Sequence, residues 1–416
     1  VMVIGGGARE HALVWKLIQS PKVAEVYVAP GNGGIELIAH NLAISPVNIE
    51  ALAEAARQYK IDLTVVGPEM PLTLGIVDLF QSRGLAIFGP RGAAALIESS
   101  KVFAKELMQK YGLPSARGRV FTSSAAAKEY IQSQPPPIVI KADGLAAGKG
   151  TIVATSRKQA TEAVAEIMER QIFGSAGDKV IIDEYLSGRE VSLLAFTDGK
   201  TVAGMVPVCD YKRAFDGDVG PNTGGMGSYS PPGFFGPHQI ELARKNILKP
   251  AVSAMAQEGE PYQGVLYAGL MLTPNGVKTL EFNARFGDPE TQVALPRLKT
   301  DLVDILMAAI DGTLDQMEIL WSEECFVGVV IASAGYPGDY KTGFPITGLD
   351  RLDKEITVFH AGTKAQGGKI YTDGGRVLTV VAGGKTIAEA RAKVYSQLSA
   401  IRFEGGYYRQ DIAQQG

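Results

Sequence analysis

The sequence predicts a multidomain protein of mixed α/β and α+β class: a doubly wound parallel sheet, a small appended unit, a mainly antiparallel sheet and a last β-rich unit. Three observations carry this expectation. The 416 residues exceed what one hydrophobic core usually holds, so several packed units are expected. Residues 1 to about 100 alternate short β-branched runs with helical patterns, which implies parallel strands joined by crossover helices. Beyond about residue 184 the apolar runs lengthen and several return after only a few turn residues, as antiparallel strands do.

In chain order, the first unit reads as strand VMVI, helix AREHALVWKLIQS, strand VAEVYVAP, helix NIEALAEAARQYK, strand DLTVVGPE, helix LTLGIVDLFQSRG and strand LAIFGP. Its strands end in turn formers: Gly5-Gly6-Gly7, Pro30-Gly31-Asn32, Gly67-Pro68-Glu69 and Gly89-Pro90. Ligands of doubly wound sheets sit at such carboxyl ends. A helix capped by Ser100, KVFAKELMQKYG, opens a small unit that runs to about residue 183 and contains the strand IVIKA. From about 184 to 310, REVSLLAFT, TVAGMVPV, GVLYAGLML and VKTLEFN read as an antiparallel sheet flanked by helices near 237–258 and 296–310. The last unit runs from FVGVVIASAG through RVLTVVAGG and closes with the helix TIAEARAKVYSQLSAI. No internal repeat or low-complexity segment is found.

Composition narrows the partners. With 46% hydrophobic and 20% charged residues the chain reads as an ordinary globular protein, and no apolar run approaches the roughly 18 residues of a membrane span. A net charge of -3 spread over this length gives no electrostatic footprint for nucleic acid or for an anionic membrane. Cys209 and Cys325 stand far apart without neighbouring metal-ligand spacing, which argues against a disulfide framework and a zinc site and fits a cytoplasmic protein. The sequence opens inside an apolar strand with no basic segment or cleavage site, so no secretory signal is expected, and one or two native residues are expected to be missing there.

Several motifs carry chemistry. GGGAREH after the first strand can bind phosphate at a helix N-terminus. As a dinucleotide fingerprint it fails: the third glycine position is Glu10, and the second strand ends in Ala29-Pro30 instead of a ribose-binding acid. IVIKADGLAAGKGT almost spells a P-loop, but Asp143 stands where the first glycine belongs and Gly150 takes the Ser/Thr slot. Lys141 and a loop carrying Gly144, Gly148, Lys149 and Gly150 suit a lid over a triphosphate, with a solvated hairpin as the bland alternative.

In TLEFNARFGDPETQ, Glu281, Asn283 and Arg285 share one strand face while Leu280, Phe282 and Ala284 face the core. Glu plus Asn is an all-oxygen donor set for magnesium bridging nucleotide phosphates, and Arg285 could stabilise a phosphoryl group in flight. Asp288 and Glu290 follow beside them; an exposed polar strand face is the alternative. At IIDEYLSGRE, Tyr185-Leu186 could offer backbone to an adenine edge and Glu190 a carboxylate to ribose, although a surface hairpin fits as well. CDYKRAFDGDVGPNTGGMG, residues 209–227, is a long charged glycine-rich loop, functional or a surface excursion.

Ser100-Lys101, Lys141 with its glycine loop, Glu190 and the Glu281-x-Asn283-x-Arg285 strand occur in the order of the ATP-grasp superfamily. GGGAREHAL, VGPEMPL, VIKADGLAAGKG, GPNTGGMG and RFGDPETQ resemble the phosphoribosylamine-glycine ligase (glycinamide ribonucleotide synthetase) family along the entire chain. The resemblance implies an ATP-grasp fold: a Rossmann-like substrate domain over 1–100, a central domain over 101–120 and 184–320, a lid over 121–183 and a β-rich domain over 321–416. It implies a carbon-nitrogen ligase of de novo purine biosynthesis, joining glycine to 5-phosphoribosylamine through glycyl phosphate and releasing ADP and phosphate. Lys101 and Lys141 would hold ATP phosphates, Gly144 to Gly150 the lid, Tyr185 and Leu186 the adenine, Glu190 the ribose, and Glu281 and Asn283 magnesium or manganese. Many relatives carry a further acid or Gln one strand earlier, but GVLYAGLML offers none, so water and phosphate are expected to complete the metal shell.

The phosphoribosyl end is expected against Gly7, Arg9 and Glu69, and glycine near Asp210, Lys212, Arg285 and Asp288, with Arg285, Lys141 and Asp288 as catalytic candidates. Arg409 and Asp411 would join the site only if the last unit folds back. A monomer or weak homo-oligomer with small-molecule partners is expected. Rival readings are an ATP-grasp carboxylase activating bicarbonate, a nicotinamide-dependent oxidoreductase using the first unit, and a non-catalytic nucleotide-binding regulator.

Overall fold

The computed structural model describes residues 1–145 and 150–415. Strands β1 (Met2–Gly5), β2 (Tyr27–Pro30), β3 (His40–Asn41), β4 (Thr64–Val66) and β5 (Ile87–Phe88) form a parallel sheet in the order β3-β2-β1-β4-β5. The strand order reverses between β1 and β4, so the Gly5–Gly7 and Gly67–Glu69 turns flank one crevice. The strands are short and nearly all buried, because crossover helices cover both faces.

The next sheet joins β6 (Gly118–Phe121), β7 (Ile138–Ala142), β8 (Thr151–Ala154) and β9 (Val180–Glu184) in the order β6-β9-β7-β8, all antiparallel. Its own small core, including Ile131, Ile140, Val164 and Ile182, makes it a unit distinct from the main body. The 101–110 helix enters it with the Ser100 hydroxyl accepting from Phe103 N–H, the cap expected for this sequence.

Downstream come β10 (Arg189–Asp198), β11 (Val202–Gly204), β12 (Cys209–Asp210), the ribbon β13 (Arg213–Phe215) and β14 (Val219–Asn222), β15 (Gly227–Ser230), β16 (Gln263–Thr273) and β17 (Gly276–Asn283). Helical segments fall at 237–257 and Leu302–Asp311, near the expected positions. The sheet β11-β10-β16-β17 is antiparallel; β10, β16 and β17 are three of the long runs read from sequence, whereas the fourth, TVAGMVPV, forms only the three-residue β11. The 209–227 segment differs from the expected loop. It opens with β12, holds the ribbon and runs into β15, and β12 and β15 join the last sheet.

That sheet adds β18 (Cys325–Ala332), β19 (Ile356–His360) and, after the hairpin β20 (Thr363–Gln366) and β21 (Lys369–Thr372), β22 (Arg376–Gly384). Its order is β12-β15-β18-β22-β19, closed by the Ile387–Leu398 helix. β12 and β15, at the two ends of residues 209–230, thus tie this sheet to the central part of the chain. No described helix is long and apolar enough to cross a membrane.

Candidate active site

The β17 face forms the floor of the site. Phe282 and Ala284 are buried, while Glu281, Asn283 and Arg285 stand half-open on the other face. Leu280 departs from the expected alternation. A bulge opposite Gly269 and Leu270 skips it out of register, and it packs with Ala116, Leu186 and Met271. This small apolar pocket lies beside the hinge at Tyr185 and Leu186, where Tyr185 is exposed and Leu186 buried. The bulge also turns the Leu280 carbonyl toward Lys141, whose Nζ donates to it at 3.1 Å.

Cations surround Glu281. Burial pushes its carboxyl up, but Lys212, Lys141, Lys101 and Arg285 outweigh this and hold it below the usual carboxylate range. Lys101 is lowered by burial and by Lys141, although Glu281 pulls the other way, and its Nζ donates to Gly144 O at 2.7 Å. Lys141 also lies 3.1 Å from Asp183, which pairs at 2.6 Å with Lys105, a fully buried lysine. Asp143 secures the start of the glycine loop by accepting from Ser100 Oγ and Val102 N–H, 3.0 and 3.1 Å away. Gly144, whose carbonyl meets Lys101, adopts a left-handed φ of +135°, and at the loop's other described end Gly150 O accepts from Ala142 N–H at 2.8 Å. Gly148 and Lys149 lie outside the described residues.

Among the described residues neither Glu281 nor Asn283 has a side-chain hydrogen bond, and no group of three His, Cys, Asp or Glu could cage a metal. Gly269 stands opposite Glu281, and a methyl group there would come within 3.2 Å of the Glu281 side chain. Two free oxygen donors beside a cluster of cations fit a magnesium ion whose remaining ligands are phosphate oxygens and water.

The second half of the site faces the crevice of the parallel sheet. Arg285 lies 3.1 Å from Glu98 and 3.4 Å from Glu69, and these carboxylates raise its pKa despite burial. Glu98, which the sequence reading missed, also accepts from Ala284 N–H at 2.6 Å; burial pushes its carboxyl up even beside Arg285. Asp288 accepts from Gln292 Nε2 at 2.8 Å and pairs with Arg376 at 2.9 Å, and Arg376 outweighs burial to keep it low. Lys212 meets Glu190 at 2.8 Å, which brings together residues expected in separate pockets. Burial, reinforced by Glu290, Glu190 and Glu281, pushes Asp210 up to about 7 against the pull of Lys212. Beneath them Glu290 accepts from Ser192 Oγ and Tyr267 Oη, both at 3.1 Å.

Two groups expected to border the substrate are engaged within the protein. Gly7 does not keep its amide for a phosphate: its N–H donates to Glu10 Oε2 at 2.6 Å. Arg9 is not a free cation, because Nε donates to Glu10 Oε1 at 2.6 Å and Nη1 to Phe286 O at 3.1 Å. Glu10, almost fully buried, stands where a dinucleotide-binding loop has its third glycine. Its carboxylate takes a loop donor and opposes a pyrophosphate, which argues against the oxidoreductase reading. The last unit does fold back: Arg409, buried, pairs with Asp411 at 2.7 Å and donates to Arg213 O at 2.9 Å, clasping the ribbon from behind.

A small antiparallel sheet with its own core, two lysines beside Glu281 and an acid-amide strand together define an ATP-grasp protein. Residues 99–291 match the phosphoribosylglycinamide synthetase ATP-grasp (A) domain, residues 1–98 the N domain and residues 326–415 the C domain of the same protein. The chain is 51% identical to a phosphoribosylamine--glycine ligase of Halalkalibacterium halodurans, over 99% of this chain and 96% of the relative. It is 49% identical to part of the trifunctional purine biosynthetic protein adenosine-3 of Gallus gallus, covering 42% of that longer protein. The crystal structure of phosphoribosylamine--glycine ligase from Thermotoga maritima superposes with a TM-score of 0.87 at 34% identity, covering 99% of both chains. A biotin carboxylase domain from Hydrogenobacter thermophilus reaches a TM-score of 0.76 at 14% identity, over 98% of this chain and 91% of that one, a likeness of fold alone. The chain belongs to the phosphoribosylglycinamide synthetase family.

Proposed function

We propose that the protein joins glycine to 5-phosphoribosylamine at the expense of ATP, giving glycinamide ribonucleotide, ADP and phosphate in purine biosynthesis. The observation that carries this reading is the full-length family match, all three domains included, over a site with separate nucleotide and acceptor halves. The carboxylase alternative has only low-identity likeness of fold behind it.

In this reading Lys101 and Lys141 hold the ATP phosphates, Tyr185 and Leu186 receive the adenine above the Leu280 pocket, and Glu190 takes the ribose. Glu281 and Asn283 hold magnesium or manganese, which when bound neutralises charge on the phosphates as the γ-phosphoryl group transfers. A carboxylate is a poor acyl donor, so the glycine carboxylate attacks the γ-phosphorus first and becomes an acyl phosphate. Arg285, held between Glu69 and Glu98, aims fixed positive charge at that step. The amine of phosphoribosylamine then attacks the acyl carbon and expels phosphate. Lys212, Asp210 and Asp288 border the glycine, and Glu69 takes ribose hydroxyls beside the Gly7 and Arg9 wall. The lid residues Gly144 to Gly150, Gly148 and Lys149 among them, exclude water that would hydrolyse the intermediate. The two free cysteines fit a reducing cytoplasm, and the protein is proposed to act there as a monomer or weak homo-oligomer.

The test is ADP release by the purified chain with ATP and magnesium, supplied with glycine or bicarbonate, each with and without phosphoribosylamine. Turnover that needs both glycine and phosphoribosylamine supports the assignment. Turnover with phosphoribosylamine that is independent of glycine overturns it.

A further inference from the structure

We propose that Arg376, in the C-terminal unit, is a positioning residue for the acceptor half of the site, fixing both Asp288 and the Gly224-Gly225 turn. The inference rests on the ligase reading and adds to it a role for the last unit.

The Arg376 guanidinium reaches two segments far away in sequence. Nη2 pairs with Asp288 Oδ2 at 2.9 Å, while Nη1 donates to Gly224 O at 2.6 Å and to Asp288 O at 3.1 Å. The planar fork is suited to holding a carboxylate and nearby carbonyls at once. The other polar group of Gly224 is also held by the last unit, its N–H donating to Tyr336 Oη at 2.9 Å. Tyr336 is in turn held by Tyr407, whose hydroxyl donates to Tyr336 O at 2.8 Å.

The turn is shaped for this fit. A methyl group on Gly224 would stand 3.0 Å from the guanidinium carbon, and one on Gly225, at φ +111°, would meet Pro289 at 2.4 Å. The same Asp288 oxygen, Oδ2, would lie 3.5 Å from a methyl group added at Gly7. Arg376 therefore stands where loops of all three parts of the chain meet. The glycine-rich end of the 209–227 segment, which no step of the reaction uses directly, gains a purpose as the partner of this clamp. Releasing it frees Asp288 to turn away from the glycine it borders and from the Gly7 wall beside it, and leaves Lys101, Lys141 and β17 untouched.

The test is steady-state kinetics of the full chain, varying ATP, glycine and phosphoribosylamine in turn, for wild type, Arg376→Met, Arg376→Lys and Tyr336→Phe, with melting temperatures alongside. For Arg376→Met, kcat/KM for glycine and for phosphoribosylamine should each fall at least about tenfold while KM for ATP stays within about twofold. Arg376→Lys should recover part of the loss, because an ammonium restores the pair with Asp288 but not the forked carbonyl contacts. Tyr336→Phe should give a smaller loss in the same direction, and these two variants carry the test if Arg376→Met does not fold. Unchanged kinetics, or a uniform fall in kcat with every KM unchanged, would overturn the proposal. Absence of turnover in the wild type would instead remove the ligase reading beneath it.

Discussion

The nucleotide half and the acceptor half of the site use positive charge in opposite ways. On the nucleotide side Lys101 gives its ammonium to a backbone carbonyl, and Lys141 shares its one carboxylate, Asp183, with Lys105. On the acceptor side each arginine faces acids: Arg285 faces Glu69 and Glu98, and Arg376 faces Asp288. Under-neutralised lysines suit a polyanion that arrives with its own charge. Paired arginines are a rigid scaffold, already compensated, that holds a small substrate in register without drawing in stray anions.

Substitutions can break this contrast. The largest effect is expected at Glu281, free of protein partners among the described residues. Glu281→Gln should lower kcat by roughly 10²–10³ with little change in ATP binding, because charge neutralisation matters most in the transition state. Equal small losses in both, measured by turnover and nucleotide titration, would erase the distinction between the halves.

Next is the acceptor scaffold. Glu98→Ala removes one partner of a buried pair and should cost roughly 3 kcal/mol of stability by denaturant titration. Glu69→Ala, at the more exposed end of the same guanidinium, should cost under about 1 kcal/mol. A reversal of that order would mean that Glu69 anchors the arginine. On the nucleotide side, Lys141→Ala should raise KM for ATP about tenfold and slow single-turnover phosphoryl transfer, leaving KM for glycine nearly unchanged.

The smallest effect sharpens how the first and last units are held together. His360 N–H donates to His11 Nδ1 at 2.9 Å, and burial pushes His11 down to about 3 and His360 to about 4. A folded state that excludes these protons loses stability as pH falls from about 6.5, where the unfolded histidines begin to charge, toward those folded values. Each histidine contributes at most about 1.4 kcal/mol per pH unit in that window. Asn at position 11 can still accept the His360 N–H but does not titrate. The stability gap between wild type and His11→Asn should therefore narrow from pH 7 to pH 5, and since Asp210 and Glu98 titrate in both proteins, their opposing contributions cancel. A constant gap would mean that His11 is not held neutral.

Much of this was legible in the sequence, and what was not follows a pattern. The parallel, doubly wound character of the first sheet, three long strands of the central one and the β17 row were readable because local periodicity fixes which face a side chain takes. The Leu280 bulge was not, since it depends on pairing across to Gly269 and Leu270. Gly7 and Arg9 were identified as bordering the crevice, yet their donors go to Glu10, which pattern reading treated only as a missing glycine. Glu98, Lys105, Asp183 and Arg376 were missed because each acts on a residue distant in sequence. The signal that could have found Asp183 is an ionisable residue continuing an apolar strand run, as in VIID.

The central claim is that the glycine carboxylate takes the γ-phosphoryl group before the amide forms. The direct measurement is turnover with glycine labelled by 18O in its carboxylate, followed by mass analysis of the released phosphate. One labelled oxygen should appear in each phosphate formed, because the carboxylate oxygen that attacks phosphorus leaves with it. Phosphate free of label, with glycinamide ribonucleotide still produced, would contradict the acyl-phosphate route and the division of the site built on it.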